Sequence, residues 1–216
     1  MFRKIAIGCL AGLLGWLAAK AEADPGAIPA LRAGDLLFKD ADTATGTRIA
    51  AGWSLGDKRW GHVGIVVEDA AGALSVVHAD TGENAGPDAP GEVRRVPLAD
   101  FLSDVSTAGH YTVALEGEGR DTYLAYAEST VGLPFDRGFS LKSENSVYCS
   151  ELVWRALSAG AGADILPQKS ERFGRIYVSL SDLSEHPLTR EAAVLAPAEL
   201  PGHEGGDRRT TQAEAR

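Results

Sequence analysis

Short apolar stretches recur along the chain, separated by polar and turn-forming residues, and this pattern predicts a small β-sheet. The stretches are rich in β-branched or aromatic residues and are bounded by turn-forming residues, which is typical of strands. They are AGDLLFKD (33–40), HVGIVVED (62–69), ALSVVHAD (73–80), EVRRVPL (92–98), HYTVALEG (110–117) and, as the last strand, RIYVSLSD (175–182). Because these strands do not alternate regularly with helices, we expect an α+β fold with a small antiparallel sheet packed against helices.

Helical stretches lie between the predicted strands. TATGTRIAAGWSLG (43–56) indicates a weak helix interrupted by glycines, and LADFLSDV (98–105) indicates a short one. A longer helix is predicted to open at Asp121 and to run to about Val131, where a Gly-Leu-Pro sequence ends it.

Two of the predicted strands flank an Ala-Ala-Gly turn and form a β-hairpin that carries two histidines. If Val67 pairs with Ala73 around a five-residue loop, His62 lies directly opposite His78, with Cβ atoms about 4.5–5.5 Å apart. Asp80 then shares the same face as the diagonal neighbour of His62. A loop longer or shorter by one residue would turn His78 to the other face. In the first register the hairpin presents a base with a polar group beside it to orient the ring.

The two ends of the chain differ in kind from the rest. Arg3 and Lys4 precede a short apolar run, Ile5 to Ala19, and an Ala-Glu-Ala sequence that is typical of signal-peptide cleavage. We expect residues 1–23 to be a signal peptide, cleaved after Ala23, which would place the protein in the periplasm or outside the cell. The alternative is an uncleaved N-terminal anchor. Residues 197–216 have the composition of a disordered tail.

Composition and charge limit the possible partners. The 216 residues are 44% hydrophobic and 24% charged, an ordinary globular composition, and residues 24–196 contain no evident linker, so one domain is expected. Loss of residues 1–23 changes the net charge from −9 to −11, since three basic residues and one acidic residue are removed. An acidic domain argues against nucleic acid and against an anionic membrane surface as partners.

Cys149 is the single cysteine that would remain after loss of the signal peptide, which takes Cys9 with it. An unpaired cysteine in an oxidising compartment indicates a reactive thiol. Apolar residues at 152, 153, 156 and 157, with Gly160 as C-cap, predict a helix that begins at or near Cys149. A helix N-terminus lowers the pKa of a thiol. A buried structural cysteine fits the same position equally well.

The histidines decide between these two interpretations of the thiol. His62 and His78 lie on the two arms of the hairpin, where a base and its orienting partner could serve a cysteine nucleophile. His110 opens a strand and is expected to be structural. His186, in a polar segment, and His203, in the tail, are expected to be solvated.

Three motifs resemble those of a known family. RAGDLLF, then WGHVGIVVED followed by VVHAD, and then GLPFDRGFSLKSENSVYCSELVW are similar to the successive motifs of the permuted papain-like hydrolases, the YiiX/YaeF-like branch of the NlpC-type superfamily. The resemblance spans roughly residues 31–158, and His62 precedes Cys149, the order of the permuted branch. It implies a papain-like fold, Cys149 as nucleophile, His62 as general base and His78 as the third polar residue. The branch often has a glutamate at this third position.

Three further residues near these motifs have a functional and a structural interpretation. Tyr148 is a candidate to donate its hydroxyl to an oxyanion hole, beside the Cys149 backbone N–H. Trp60 is a candidate to line a substrate cleft, although packing in the core is the simpler role. Glu151 is sufficiently explained by the helix dipole, which favours an acidic residue in the first turn.

The leading functional hypothesis is a cysteine hydrolase that cleaves amide bonds through a thioester, with no cofactor and no metal. The family resemblance implies cell-wall peptides as substrates, whereas a lipid acyl hydrolase or thioesterase would use the same three residues. Two further hypotheses are a ligand-binding protein without turnover and a zinc site formed by Cys149, His62 and His78. The expected partner is a peptide or small molecule, such as a peptidoglycan fragment or an acylated lipid. No stable membrane span is expected after signal cleavage.

Overall fold

The computed structural model describes residues 30–42, 45–82 and 90–196. The predicted signal peptide, its cleavage site before Asp24 and the predicted tail with His203 lie outside the described residues. Within the described ranges, no helix is long and apolar enough to cross a bilayer.

A six-stranded antiparallel sheet forms the centre of the protein, with strand order β4-β3-β2-β1-β5-β8. Its strands are β1 (Leu36–Asp40), β2 (Trp60–Glu68), β3 (Leu74–Asp80), β4 (Glu92–Pro97), β5 (Ala108–Val113) and β8 (Thr189–Leu195). A separate two-stranded hairpin is formed by β6 (Ser170–Arg172) and β7 (Arg175–Tyr177). The predicted α+β class with a small antiparallel sheet is confirmed.

The helices cover both faces of the sheet and account for its two apolar clusters. They are α1 (Thr45–Trp53), α2 (Leu98–Phe101), α3 (Gly117–Ser129), α4 (Cys149–Ala161) and α5 (Leu180–Ser184). Alternate residues of a strand point to opposite faces. On β1, Leu36 and Phe38 therefore join the larger cluster with α3, α4 and α5, whereas Leu37 joins the smaller cluster with α2. This explains why the three apolar residues of β1 are all buried.

Two predicted helix boundaries are wrong. Helix α3 begins at Gly117, one turn before the expected start at Asp121. Helix α4 does begin at Cys149, but its C-cap is Gly162, in the left-handed conformation at φ 68°, rather than Gly160. Gly160 instead lies inside the helix where α4 meets α3, and a Cβ there would lie 2.6 Å from the Gly119 carbonyl oxygen.

The last part of the chain also differs from the prediction. The expected strand at 175–182 is β7 followed by α5, whose first turn is capped by Ser179, which accepts the Asp182 N–H. Strand β8 is not among the predicted strands. It pairs with β5 at the edge of the sheet, from Ala108↔Leu195 to Val113↔Thr189.

The predicted hairpin forms, but its register differs from the expected one. Glu68 pairs with Leu74, so the loop is Asp69–Ala73 and Val67 faces Ser75 instead of Ala73. The Asp69 carboxylate fixes this loop, since it accepts the N–H groups of Ala71 and Ala73 at 2.8 and 2.9 Å. The predicted loop also has an odd number of residues, so the shift keeps His62 and His78 on one face of the sheet.

Candidate active site

Cys149 is the first residue of α4, and its side chain reaches the start of β2. The residue is 7% exposed and is the one free cysteine among the described residues. A hydrogen bond from the backbone N–H of Val63 reaches the thiol. Since Val63 follows His62 in the chain, the start of α4 lies beside the strand that carries the predicted base.

Glu151 explains why α4 begins where it does. Its carboxylate accepts the Tyr148 backbone N–H at 3.4 Å, as part of a capping box, and the Arg155 guanidinium at 2.7 Å. The Glu151 side chain is fully buried, and this burial raises its pKa to about 7. The helix dipole alone is therefore an incomplete explanation, because Glu151 also fixes the helix start through two buried contacts.

Tyr148 and Ser150 attach the start of α4 to the segment after β7. The Val178 N–H donates to the Tyr148 hydroxyl, and the Ser150 hydroxyl donates to the Val178 carbonyl, both at 2.8 Å. The Tyr148 hydroxyl is thus an acceptor from the backbone and keeps its own proton to donate. This geometry is compatible with Tyr148 as an oxyanion-hole donor, which stays a prediction.

His62 and His78 form a hydrogen-bonded pair, with 3.0 Å between His62 Nε2 and His78 Nδ1. The observed register, continued by one residue from Ile65↔Val77, places His78 across from Gly64. Gly64 leaves room on β3 and beside the pair, because a Cβ there would collide with the Val76 side chain and would lie 3.2 Å from both the His78 Cβ and the Phe101 ring. Asp80, which could also have oriented His62, accepts the Gly82 N–H instead.

The pairing assigns the two nitrogens of the His62 ring. Nε2 is engaged by His78, so Nδ1 is the nitrogen left to accept a proton from a thiol. For that role Nε2 must carry the hydrogen and donate it to His78 Nδ1. His78 then holds His62 in one tautomer. When His62 becomes an imidazolium, the neutral His78 ring stabilises it by accepting this hydrogen bond, more weakly than a carboxylate would.

Burial keeps both histidines neutral at physiological pH. Desolvation lowers the pKa of His62 well below its ordinary value, and the positive charge of Lys39, together with that of His78 when His78 is protonated, lowers it further. Desolvation also lowers the pKa of His78 to about 4. Lys39 lies opposite His62 on the neighbouring strand β1, and its ammonium bonds to Asp104 at 2.7 Å and lies 4.4 Å from the centre of the Phe101 ring.

The expected lowering of the Cys149 pKa is wrong for this arrangement. Burial raises the pKa of the thiol to about 11 and outweighs the hydrogen bonds from Val63, Ser150 and the Cys149 N–H, which act in the opposite direction. With the pKa of His62 lowered at the same time, the resting site holds a neutral thiol and a neutral imidazole. The proton must therefore move to His62 as the sulfur attacks, rather than before substrate binds.

Cys149, His62 and His78 line one cleft, which has a volume of about 490 Å³. Its walls combine charged groups with a larger share of apolar and aromatic side chains. The apolar and aromatic lining residues include Ile49, Trp53, Val96, Phe101, Phe135, Phe139 and Tyr177. Trp60 does not line the cleft. It is buried in the core and donates to the Tyr111 hydroxyl at 3.0 Å, so the interpretation as a substrate contact is wrong.

The Gly-Leu-Pro-Phe-Asp motif shapes one wall of the cleft. The Asp136 carboxylate accepts the N–H groups of Gly138 and Ser140 at 2.8 and 2.6 Å, which folds the loop after the motif. Phe135 forms a bridge with Val147, two residues before the thiol. The motif therefore fixes the position of this loop beside Cys149.

The remaining described histidines lie away from the cleft. His110 is fully buried and bonds to Asp35 at 2.8 Å, as expected of a structural residue. His186 is half-buried and bonds to the Ile165 carbonyl oxygen at 3.0 Å, so the expectation that it is solvated is wrong. In the described ranges, no three His, Cys, Asp or Glu side chains are placed to hold a metal ion.

The sequence pattern does not single out Lys39 and Phe101, which contact or surround the histidine pair. Lys39 follows three apolar residues in a strand that is buried throughout, and a lysine in such a place is a signal that could have been followed. Phe101 comes from a four-residue helix, and its contacts with His62 and His78 depend on how α2 packs on the sheet.

Replacing His78 should test its role as the partner of His62. We expect His78→Ala to lose less activity than His62→Ala, since the base remains in place with poorer geometry. His78→Glu should retain part of the activity and raise the pKa of His62, because a carboxylate stabilises the imidazolium. As the pH is lowered, kcat/KM of this variant should therefore begin to fall at a higher pH than kcat/KM of the wild type. Equal and complete loss in all three variants would contradict this division of roles.

Comparison with known proteins agrees with the resemblance seen in the motifs. The family model for permuted papain-like amidase enzymes of the YaeF/YiiX type, the C92 family, matches residues 30–200. Among curated proteins and among solved structures, nothing matches the chain significantly. The match covers the whole sheet and all five helices described above.

Proposed function

The chain belongs to the permuted papain-like amidase family YaeF/YiiX, and we propose that it is an exported cysteine hydrolase that cleaves amide bonds through a thioester on Cys149. The observation that carries this proposal is the hydrogen-bonded His62–His78 pair in the same cleft as Cys149. The N-terminal basic and apolar segments support export.

Acylation begins with the neutral pair. As the Cys149 sulfur attacks the substrate carbonyl carbon, its proton passes to His62 Nδ1, and His78 stabilises the resulting imidazolium through Nε2–H. The Cys149 backbone N–H, in the first turn of α4, and the Tyr148 hydroxyl are the proposed donors to the oxyanion. The C–N bond then breaks, the amine leaves with the proton from His62, and the acyl group stays on sulfur.

Deacylation reverses the proton transfer. Water attacks the thioester carbonyl while His62 takes one of its protons, and the C–S bond breaks. The carboxylic acid is released and the proton returns to the sulfur, which restores the neutral thiol and imidazole. No group beyond these residues and water is needed to balance either step.

Cell-wall peptides are the first proposed substrates, from the family and the proposed export. The lining of the cleft supports a second candidate, an apolar acyl group held as an amide, ester or thioester. Phe139 lines the cleft, is 42% exposed and has a backbone φ of 48°. A bulky residue in this conformation costs about 1–3 kcal/mol, and such strain is concentrated at functional sites.

A second aromatic residue next to the cleft has the same unusual backbone. Phe173, at the turn between β6 and β7, is 91% exposed with φ of 53°, and its ring lies 6.5 Å from that of Trp53 in the cleft wall. Two exposed phenylalanines near one opening offer apolar surface to an acyl chain.

Two substrate series on purified protein test both parts of the proposal. One series holds cell-wall peptide amides, and the other holds amides, esters and thioesters of one medium-length acyl chain. We expect amide cleavage in at least one series, lost in Cys149→Ala. If apolar acyl groups are the substrates, Phe139→Ala should raise their KM and leave peptide cleavage unchanged. Cleavage of neither series, or cleavage that persists in Cys149→Ala, would contradict the proposed function.

A further inference from the structure

A second cavity lies at the other end of the sheet, away from the catalytic cleft. It has a volume of about 570 Å³ and shares no lining residue with the cleft. The cavity and the cleft lie at opposite ends of β1. Arg32, which precedes β1, lines the cavity, and Lys39, near the end of β1, lines the cleft. The remaining walls are the end of β5, the start of α3 and residues 187–190.

Three arginines line this cavity, whereas Glu116 is its one acidic lining residue. Arg120 and Arg190 form no ion pair with any described residue, and Arg32 approaches Asp35 at 3.8 Å with a side chain that is 63% exposed. In a protein of net charge −9, three arginines in one concavity with so little compensation concentrate positive potential there.

The backbone adds further donors at the same place. Helix α3 has thirteen residues and begins at Gly117, which lines the cavity. The side chain of its N-cap, Glu116, makes no capping hydrogen bond, so the N–H groups of the first turn are left for another acceptor. A Cβ on Gly117 would meet nothing within 4 Å, which leaves the helix start open to a ligand.

From these observations we propose that the cavity binds a phosphate group, held by Arg32, Arg120 and Arg190 and by the first turn of α3. Guanidinium groups and helix N-termini both suit a multiply charged oxyanion. A tetrahedral phosphate offers acceptor oxygens to three arginines and a backbone N–H at once, whereas a carboxylate offers two oxygens. The inference concerns a site apart from the catalytic one and does not depend on the proposed reaction.

Calorimetric titration with inorganic phosphate and pyrophosphate tests this site, with acetate at equal ionic strength as the comparison. We expect saturable binding of phosphate and pyrophosphate that weakens at least about tenfold in Arg120→Gln and in Arg190→Gln. Glu116→Gln should tighten binding, because it removes the one carboxylate in the cavity. Arg48→Gln, an exposed arginine elsewhere, is the matched control and should leave binding unchanged.

Several outcomes would overturn the proposal. They are the absence of saturable binding, acetate binding as tight as that of phosphate, or binding that Arg120→Gln and Arg190→Gln leave intact. Thermal unfolding of each variant separates loss of binding from loss of structure. If Arg120→Gln does not fold, the variants of the exposed residues Arg190 and Glu116 still test the proposal. Arg190→Gln should weaken phosphate binding, whereas Glu116→Gln should tighten it.

Discussion

Cys149→Ala is expected to lower kcat/KM by about 10⁵- to 10⁶-fold, the loss seen when a covalent nucleophile is removed from a site that acts as a unit. The thiol is the group that bonds to the acyl carbon, so no neighbouring residue can replace it. The measurement is the hydrolysis rate of the best substrate under single-turnover conditions.

Matched variants separate this effect from damage to the fold. Cys149→Ser keeps the size of the side chain but should still be nearly inactive, since a hydroxyl is a much weaker nucleophile than a thiol at neutral pH. Ser129→Ala, an exposed position at the end of α3, should keep full activity. Wild-type-like hydrolysis by Cys149→Ala would remove the basis of the proposed mechanism.

His62→Ala is expected to lower kcat/KM by about 10⁴-fold or more, because the resting thiol is neutral and needs a base at the moment of attack. The double variant Cys149→Ala/His62→Ala should be no worse than Cys149→Ala alone, since the two residues serve one step. Losses that multiply in the double variant would show that His62 acts elsewhere.

The pH dependence of the wild type follows from the same residue. Activity requires neutral His62, whose pKa is lowered well below its ordinary value of 6.5 by burial and by the neighbouring charges. Activity should therefore persist at pH 6 and fall only as the pH drops further, through the lowered pKa. A fall that is already half complete at pH 6.5 or above would contradict a base with a lowered pKa.

The sequence predicts the residues of the candidate site better than their detailed geometry. A hairpin loop of five residues places His62 and His78 on one face, and the helical pattern places Cys149 at a helix start. The sequence cannot set the register of the hairpin, because the pairing Val67↔Ala73 and the observed pairing Glu68↔Leu74 both close five-residue loops. The choice depends on the Asp69 carboxylate binding its own loop.

Features that depend on tertiary packing are missed or predicted with the wrong sign. The segment TREAAVL contains good helix formers, and it becomes β8 only because β5 offers an unpaired edge. The helix start alone predicts a lowered Cys149 pKa, whereas burial decides it. The burial of Glu151 also depends on the surrounding tertiary structure, so a local sequence pattern cannot predict it.

Mass spectrometry of the acylated enzyme tests the central claim most directly. Wild-type protein is mixed with substrate, quenched in acid and digested, and Cys149→Ala is treated in the same way. We expect a mass increase equal to the acyl group on the peptide that contains Cys149, removable by hydroxylamine and absent from Cys149→Ala. Substrate turnover with the acyl group found on another residue, or with no adduct at any quench time and undiminished hydrolysis in Cys149→Ala, would contradict the thioester mechanism.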